Sequence, residues 1–291
     1  MATFEFVNAR GDILSLSANS DFYLTHIDGQ TTASASVSSN VIGGVDGDTV
    51  SNMQADARPL IFDLRIRDGV DVEDAKRRIL QVIKLKQDGT IVWEQNGRTV
   101  KISGKVEKID MPRWAKGIVM QVEMHCEQPF WEDIASVVEE ISEAINLHYF
   151  TDEPTNMLYF TEDGIVIGEY DTTRSKNFYN AGDVSVGLEI EILALSKVTN
   201  PIIYDADGNF FGVGYGTAEK KVEMQSGDKI VITTHRGRKS VTLNGVSIFN
   251  KIKSNSTWLQ LATGDNRFAI NSDDEALDNM AFSLIYKQRY I

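Results

Sequence analysis

The feature that most constrains this chain is an alternation of apolar and polar residues with period two, repeated along most of its length. Ile13-Leu14-Ser15-Leu16, Ile61-Phe62-Asp63-Leu64-Arg65-Ile66, Gly187 to Leu193, Lys229 to Thr233 and Ala281 to Tyr286 all follow it. A strand turns successive side chains to opposite faces, so this pattern predicts half-buried strands. Arg10-Gly11-Asp12, Asp28-Gly29, Asp88-Gly89, Asn96-Gly97, Asp207-Gly208 and Asn244-Gly245 fall between such runs and are predicted hairpin tips.

One stretch follows a helical period instead. Asp71 is placed to cap it, with Asp74 three residues on, and Val72, Ala75, Ile79, Val82, Ile83 and Lys86 share a face. Lys76, Arg77, Arg78, Lys84 and Lys86 gather toward its C-terminal half, as the helix dipole prefers. This predicts a helix over 71–87, ended by Asp88-Gly89, within an α+β N-terminal domain. Ile134, Val137, Val138, Ile141 and Ile145 also fit a 3.6-residue period, but they lie where one domain hands over to the next. Helix and strand both stay open for 134–146, and Glu153-Pro154 interrupts regular structure soon after. With 291 residues, two domains are expected: 1–133, a linker over 134–150, and a helix-free β-sandwich over 151–291.

The charge balance narrows the partners. Lys and Arg total 29 against 42 Asp and Glu, a net −13. Residues 1–150 carry 15 basic and 23 acidic side chains and the remainder 14 and 19, so the acidity is not a tail. Specific nucleic-acid binding, which relies on cations displacing counterions, is not expected. Cys126 is the single cysteine and excludes an intrachain disulfide. No apolar run approaches the ~18 residues of a membrane span, and the N-terminal residues lack the pattern of a signal peptide. The expectation is a soluble product made in the cytoplasm.

The motifs that could carry chemistry read better as structure. Asp205-Ala206-Asp207-Gly208-Asn209 begins like a calcium loop, but Gly216 stands where the bidentate Glu should be and Phe210 where the central glycine should be. It is read as a β-turn. Gly212, Gly214 and Gly216 lack the third fingerprint glycine, since position 217 is Thr217. Arg10-Gly11-Asp12 is a turn and Asn255-Ser256-Thr257 a surface loop. His26, His125, His148 and His235 show no metal-ligand spacing. His125 and Cys126 are neighbours on an alternating run, so they point to opposite faces and do not form a nucleophile–base pair. No catalytic residue, cofactor or metal is expected. Tyr204, Phe210, Phe211, Tyr215 and Trp258 offer aromatic surface for a sugar, a reading that competes with ordinary core packing.

The order of short motifs resembles the distal tail protein family of siphophage-type tails. In the first half these are Gly11 to Leu16, Leu24-Thr25-His26-Ile27-Asp28-Gly29-Gln30, Val45-Asp46-Gly47-Asp48-Thr49-Val50, Arg58-Pro59-Leu60-Ile61-Phe62 and Cys126-Glu127-Gln128-Pro129-Phe130-Trp131-Glu132-Asp133. In the second they are Asn180-Ala181-Gly182-Asp183-Val184, Asn200-Pro201-Ile202-Ile203-Tyr204, Met224 to Ile230, Val241-Thr242-Leu243-Asn244-Gly245, Ser256 to Leu261 and Thr263-Gly264-Asp265-Asn266-Arg267-Phe268. The structural positions so marked are Asp28, Gly29, Asp46, Gly47, Arg58, Pro129, Trp131, Asn180, Gly182, Asp183, Asn200, Pro201, Gly227, Asp228, Asn244, Gly245, Trp258, Gly264, Asp265 and Asn266.

The resemblance implies a mainly β chain: a split β-barrel with one helix, then a galectin-like β-sandwich, with the C-terminal strand packing back toward the first domain. It implies a non-enzymatic structural protein of a phage or prophage tail tip, assembled in the bacterial host cytoplasm. There a hexameric ring surrounds the DNA channel and joins the tail tube and tape-measure proteins to the baseplate hub protein and receptor-binding proteins. The competing function is a carbohydrate-binding module that adheres to cell-surface glycans.

Overall fold

The alternating runs fold as strands in the computed structural model, which describes residues 3–31, 33–44, 46–111, 120–140, 144–146, 160–161, 164–165, 168–170, 175–216, 218–274 and 279–291. The chain divides into two units, Met1–Ile134 with Arg289–Ile291, and Ala135–Gln288.

Unit 1 begins with β1 (Thr3–Asn8), β2 (Ile13–Ser15), β3 (Phe22–Asp28), β4 (Ala35–Val41), β5 (Asp48–Ala55) and β6 (Arg58–Ile66). Helix α1 (Val72–Val82) follows, then β7 (Asp88–Gln95), β8 (Arg98–Asp110), β9 (Met120–Cys126) and β10 (Trp131–Asp133). Unit 2 holds β11 (Val137–Glu140), β12 (Ala144–Asn146), β13 (Phe160–Thr161), β14 (Gly164–Ile165), β15 (Gly168–Tyr170), β16 (Ser175–Asn180), β17 (Val186–Gly187) and β18 (Glu189–Ala194). It continues through β19 (Val198–Thr199), β20 (Ile202–Tyr204), β21 (Phe210–Gly212), β22 (Glu223–Met224), β23 (Lys229–Thr233), β24 (Ser240–Leu243) and β25 (Val246–Ser247). A 3-10 turn at Phe249–Lys251, β26 (Gln260–Leu261), β27 (Gly264–Asn271) and β28 (Met280–Tyr286) complete it, and β29 (Arg289–Tyr290) returns to unit 1.

Unit 1 is one antiparallel sheet in the order β2-β1-β7-β8-β9-β6-β3, with β10 on β8 and β29 on β10. Its two ends meet where Leu24 N–H, on β3, donates to the carbonyl of Leu16, just past β2, at 3.0 Å. The sheet is therefore rolled on itself, which gives the alternating side chains an inside. Phe6, Leu60, Phe62, Leu64, Ile91, Ile102, Val122 and Met124 fill it.

Helix α1 adds Ala75 and Ile79 to that core, followed by Ile83 at its C-terminal cap, and Asp71 caps the start by accepting from Asp74 N–H at 2.8 Å. It is shorter than the 71–87 predicted. Lys86 N–H donates to the Val106 carbonyl and Val106 N–H to the Gln87 carbonyl, so residues 86–87 join a ladder and the helix has already ended at Val82. Lys86 adopts φ 63, Val72 and Lys86 are exposed, and the last turn holds no cation. Asp88-Gly89 is likewise no turn; it starts β7, opposite Lys105 and Gly104.

Unit 2 is a two-sheet sandwich. One sheet runs β11-β28-β18-β23-β24-β25 and the other β16-β27-β20-β21. Ile190, Ile192, Ile230, Ile232, Phe282 and Leu284 from the first share a core with Phe178, Ile203, Phe211, Phe268 and Ile270 from the second. Residues 137–140, within the expected linker where helix and strand both stayed open, form β11 and pair with β28, Val137 opposite Tyr286. The 3.6 period there is coincidental: Val137 packs on the core while Val138 is exposed, as on a strand. Ile141, His148 and Glu153-Pro154 lie outside the described residues. The expected mainly β architecture with one helix is borne out among the described residues.

Candidate assembly surface

Strands β4 and β5 pair with each other and with no other strand among the described residues, and every residue of both is exposed. The register places Ala35 opposite Ala55, Val37 opposite Met53, Ser39 opposite Val50 and Val41 opposite Asp48, with a bulge at Ser38/Ser39. One face of this arm is thus an apolar row in which Val37, Val41, Val50 and Met53 are 55%, 82%, 55% and 67% exposed. The other face pairs Ser36 with Gln54, Ser38 with Asn52 and Asn40 with Thr49, all polar and uncharged. A two-stranded ribbon in water is marginal, and an uncovered apolar row with two open edges invites a partner. At the tip, Gly44 and Gly47 take φ 85 and 96, which reverses the chain beside Asp46.

The arm is clamped at its root. The Gln30 carbonyl accepts from Trp131 Nε1 at 2.8 Å and from Arg58 Nη1 at 3.2 Å. Gly29, at φ 80, lies so close to Pro59 that an added Cβ would stand 2.2 Å from its carbonyl oxygen. Asp28 accepts from Gly29 N–H at 2.8 Å. Arg58 is 2% exposed, and its Nε and Nη2 have no hydrogen-bond partner among the described residues. Burial lowers its pKa, while the facing Cys126 opposes that shift; burial raises the Cys126 thiol to about 11. Trp131 meets Trp93 edge-on at 5.8 Å, and Trp93 stacks on Phe4 at 5.8 Å.

Trp131 is also held from β29. It pairs with Tyr290, whose ring carries the Arg98 guanidinium 3.2 Å above its centre and whose hydroxyl donates to Asp133 at 2.9 Å. Arg289 contacts Glu132 at 3.1 Å. Burial raises the Asp133 carboxyl pKa against the opposing pull of Arg98.

The marked residues of unit 1 therefore converge on the arm: Asp28, Gly29, Arg58 and Trp131 at its root, with Pro129 buried two residues before Trp131, and Asp46 and Gly47 at its tip. Those of unit 2 do not converge. Asn180 accepts from Gly182 N–H and donates to the Val184 and Leu261 carbonyls, fixing the turn that contains Asp183. Asn200, at φ 51 before Pro201, accepts from Val222 N–H and donates to Asp273. Asp228 accepts from Gln225 N–H and from Asn244, which ties the Gly227 turn to the Asn244-Gly245 turn. Asn266 bonds Ala262 and Gly264 around Asp265. Trp258 packs against Phe211. These are turn locks and a packing residue.

Asp205 behaves likewise, accepting from the N–H groups of Asp207 and Asn209 in the β20–β21 turn. His125 is exposed and Cys126 buried, on opposite faces of β9. His26 is exposed and His235 half-buried, and no group of three His, Cys, Asp or Glu among the described residues could hold a metal ion. Sequence reasoning missed the arm as an element, although Val37 and Val41 alternating with Ser and Asn ahead of Gly43-Gly44 carried the signal.

A rolled sheet with one helix, an amphipathic arm and a following sandwich define a two-unit β protein with one uncovered apolar ribbon among the described residues. Residues 181–290 match the family model described as the siphovirus-type tail component, C-terminal domain. The whole chain shares its fold with the SPP1 Dit (gp 19.1) protein, described as a paradigm of the hub adsorption apparatus in Gram-positive infecting phages. The TM-score is 0.66 at 17% identity, covering 99% of each chain. Two structures of the phage P2 baseplate in its activated conformation, with Ca and with Sr, align at 12% and 11% identity and TM-scores of 0.48 and 0.49. They cover 99% of this chain and 98% of theirs. No curated protein matches. The resemblance to the distal tail protein family is thus borne out, through the family model over residues 181–290 and through the fold over the whole chain.

Proposed function

We propose that this chain is a structural, non-enzymatic protein of a phage or prophage tail tip, closing through unit 1 into a sixfold ring around the DNA channel. In this reading the ring joins the tail tube and tape-measure proteins to the baseplate hub, and unit 2 serves receptor-binding proteins. Assembly takes place in the host cytoplasm and the finished protein resides at the virion tail tip. The family match and the shared fold support the role. The observation that carries ring closure is the uncovered apolar row Val37, Val41, Val50 and Met53.

A ring of identical subunits uses a head-to-tail interface that closes by rotation. An arm with two open edges and one apolar face meets that need, and its uncharged polar face of Ser36, Ser38, Asn40, Thr49, Asn52 and Gln54 suits a wall past which DNA slides. Covering the four apolar side chains contributes about 1–2 kcal/mol each to assembly. The net charge of −13 adds no long-range attraction for phosphates.

Light scattering on a sizing column with negative-stain imaging, alone and with the tail tube and hub proteins, tests the reading. The expected particle has about six protomers and a central hole. Val37→Ser with Met53→Ser shifts it toward monomer without lowering the melting temperature of the monomer, because both side chains are exposed. A monomer that persists in the presence of both partners overturns the proposal.

A further inference from the structure

Although the chain is acidic, residues 229–264 contain no Asp or Glu and six cations: Lys229, Arg236, Arg238, Lys239, Lys251 and Lys253. Lys229 is engaged by Glu191 at 2.8 Å. The other five make no ion pair among the described residues, and the structure gathers three of them around one aromatic cluster. Phe249, 52% exposed, stacks on half-buried Trp258 at 5.9 Å and 27°, and Phe211 supports Trp258 from the core at 4.8 Å. Lys239 Nζ lies 5.2 Å from the centre of the Trp258 ring. Lys251 donates to the Lys221 carbonyl and Lys220 to the carbonyl of Asn250, beside Phe249. The Lys253 stem lies along Gly212, next to Phe211. Of the carboxylates near Lys220 in the chain, Glu223 is taken by Lys221 at 2.6 Å and Lys197 at 3.7 Å, while Glu219 is exposed and makes no ion pair among the described residues.

We propose that this face of unit 2 binds an anionic glycan, with a sugar ring on the Phe249–Trp258 pair and Lys239, Lys251 and Lys253 on its phosphate, sulfate or carboxylate groups. The apolar CH face of a sugar matches an exposed aromatic ring, and ammonium groups at the ring's margin match charges spaced along a polymer. The alternative of an acidic protein is less well served. Within this run the exposed large apolar side chains are Phe249 and Val246, too little for the buried centre of a stable protein interface. Single-stranded nucleic acid also seeks aromatic rings and cations, but it stacks successive bases on a series of rings, whereas this run exposes one, Phe249, with Trp258 half-buried behind it. The site is independent of ring closure, which uses the arm in unit 1.

The test uses the full chain, with dextran sulfate, neutral dextran of the same length and oligothymidylate of matched charge as probes. Binding is read by calorimetry and tryptophan fluorescence, with light scattering on the same samples to follow ring formation separately. Dextran sulfate is expected to bind about tenfold more tightly than either other probe, and to weaken with salt. Phe249→Ala and Lys239→Ala each weaken it about fivefold, and Phe249→Tyr retains it. Both side chains are exposed, so the variants should keep the wild-type melting temperature, which is measured alongside. Absent dextran sulfate binding, binding indifferent to both alanine variants, or equal binding of neutral dextran or oligothymidylate overturns the proposal.

Discussion

Replacing Gly29 by Ala tests whether the arm is rigidly anchored or merely attached. Two costs separate cleanly at this position. The first is conformational: φ 80 lies in the left-handed region, where a Cβ costs about 1–2 kcal/mol. The second is steric, since the new Cβ would sit 2.2 Å from the Pro59 carbonyl oxygen, a backbone atom of β6 that cannot swing aside. Relief requires the 28–30 segment to back away from β6, which pulls the Gln30 carbonyl from Trp131 and Arg58. Two hydrogen bonds at about 1 kcal/mol each are then at stake, and the buried Arg58 loses its partner among the described residues. The total is about 3–4 kcal/mol. Gly11→Ala is the control, because Gly11 has φ 87 with nothing within 4 Å of an added Cβ, and so carries the conformational cost alone. Urea unfolding followed by tryptophan fluorescence, which reports on unit 1 through Trp93 and Trp131, measures both. If the two variants fall within about 0.5 kcal/mol of each other, the clamp contributes nothing and the reasoning fails.

Further outcomes follow from individual contacts. Tyr286→Phe removes a buried hydroxyl shared by Glu139 at 2.9 Å and the Tyr179 carbonyl at 3.1 Å, and should cost unit 2 about 1–2 kcal/mol in denaturant unfolding. Burial and the Glu139 carboxylate push that phenol's pKa upward, so alkaline spectrophotometric titration should find one tyrosine that ionises only on unfolding. Cys126, buried and raised to about 11, should react with a thiol reagent only as fast as unit 1 opens; prompt labelling of the native protein contradicts this. The Gln225 N–H holds the Asp228 carboxyl below the usual aspartate range, with Asn244 adding to the effect. A lowered folded-state value means the turn is stabilised above the unfolded pKa and loses that support as the pH falls through the folded one. The protection factor of the Gln225 amide, the exchange rate of an unprotected amide over its own at the same pH, should therefore hold at neutral pH and fall only in acid below the ordinary aspartate range.

Where local chemistry decides, the sequence was readable. Asn96-Gly97 and Asn244-Gly245 both adopt positive φ at paired positions, as tight hairpins require, and Lys229–Thr233 is a strand to the residue. Where the partner lies far along the chain it was not. Val137 and Val138 satisfy a helical period, yet β28, well over a hundred residues later, recruits them into a sheet. The end of α1 was misplaced for the same reason, because Val106 captures residues 86–87. In the candidate surface, Asp28, Gly29, Arg58 and Trp131 were visible as an ordered set, but nothing local indicated that Arg58 and Trp131 meet at one carbonyl, Gln30, beside Asp28-Gly29. The arm was missed because an alternating pattern does not say whether its apolar face is covered from within the chain or from outside it.

The return of β29 to β10 gives synthesis a direction. Unit 2 is inserted between those two strands of unit 1, so the ribosome must finish Ala135–Gln288 before Tyr290 exists to pair with Trp131. A prematurely terminated chain lacks both the Arg98–Tyr290 stack and the Arg289–Glu132 pair, and leaves the edge of β10 open beside the root of the arm. The support of Trp131 from β29 is therefore gained only after the sandwich has been made.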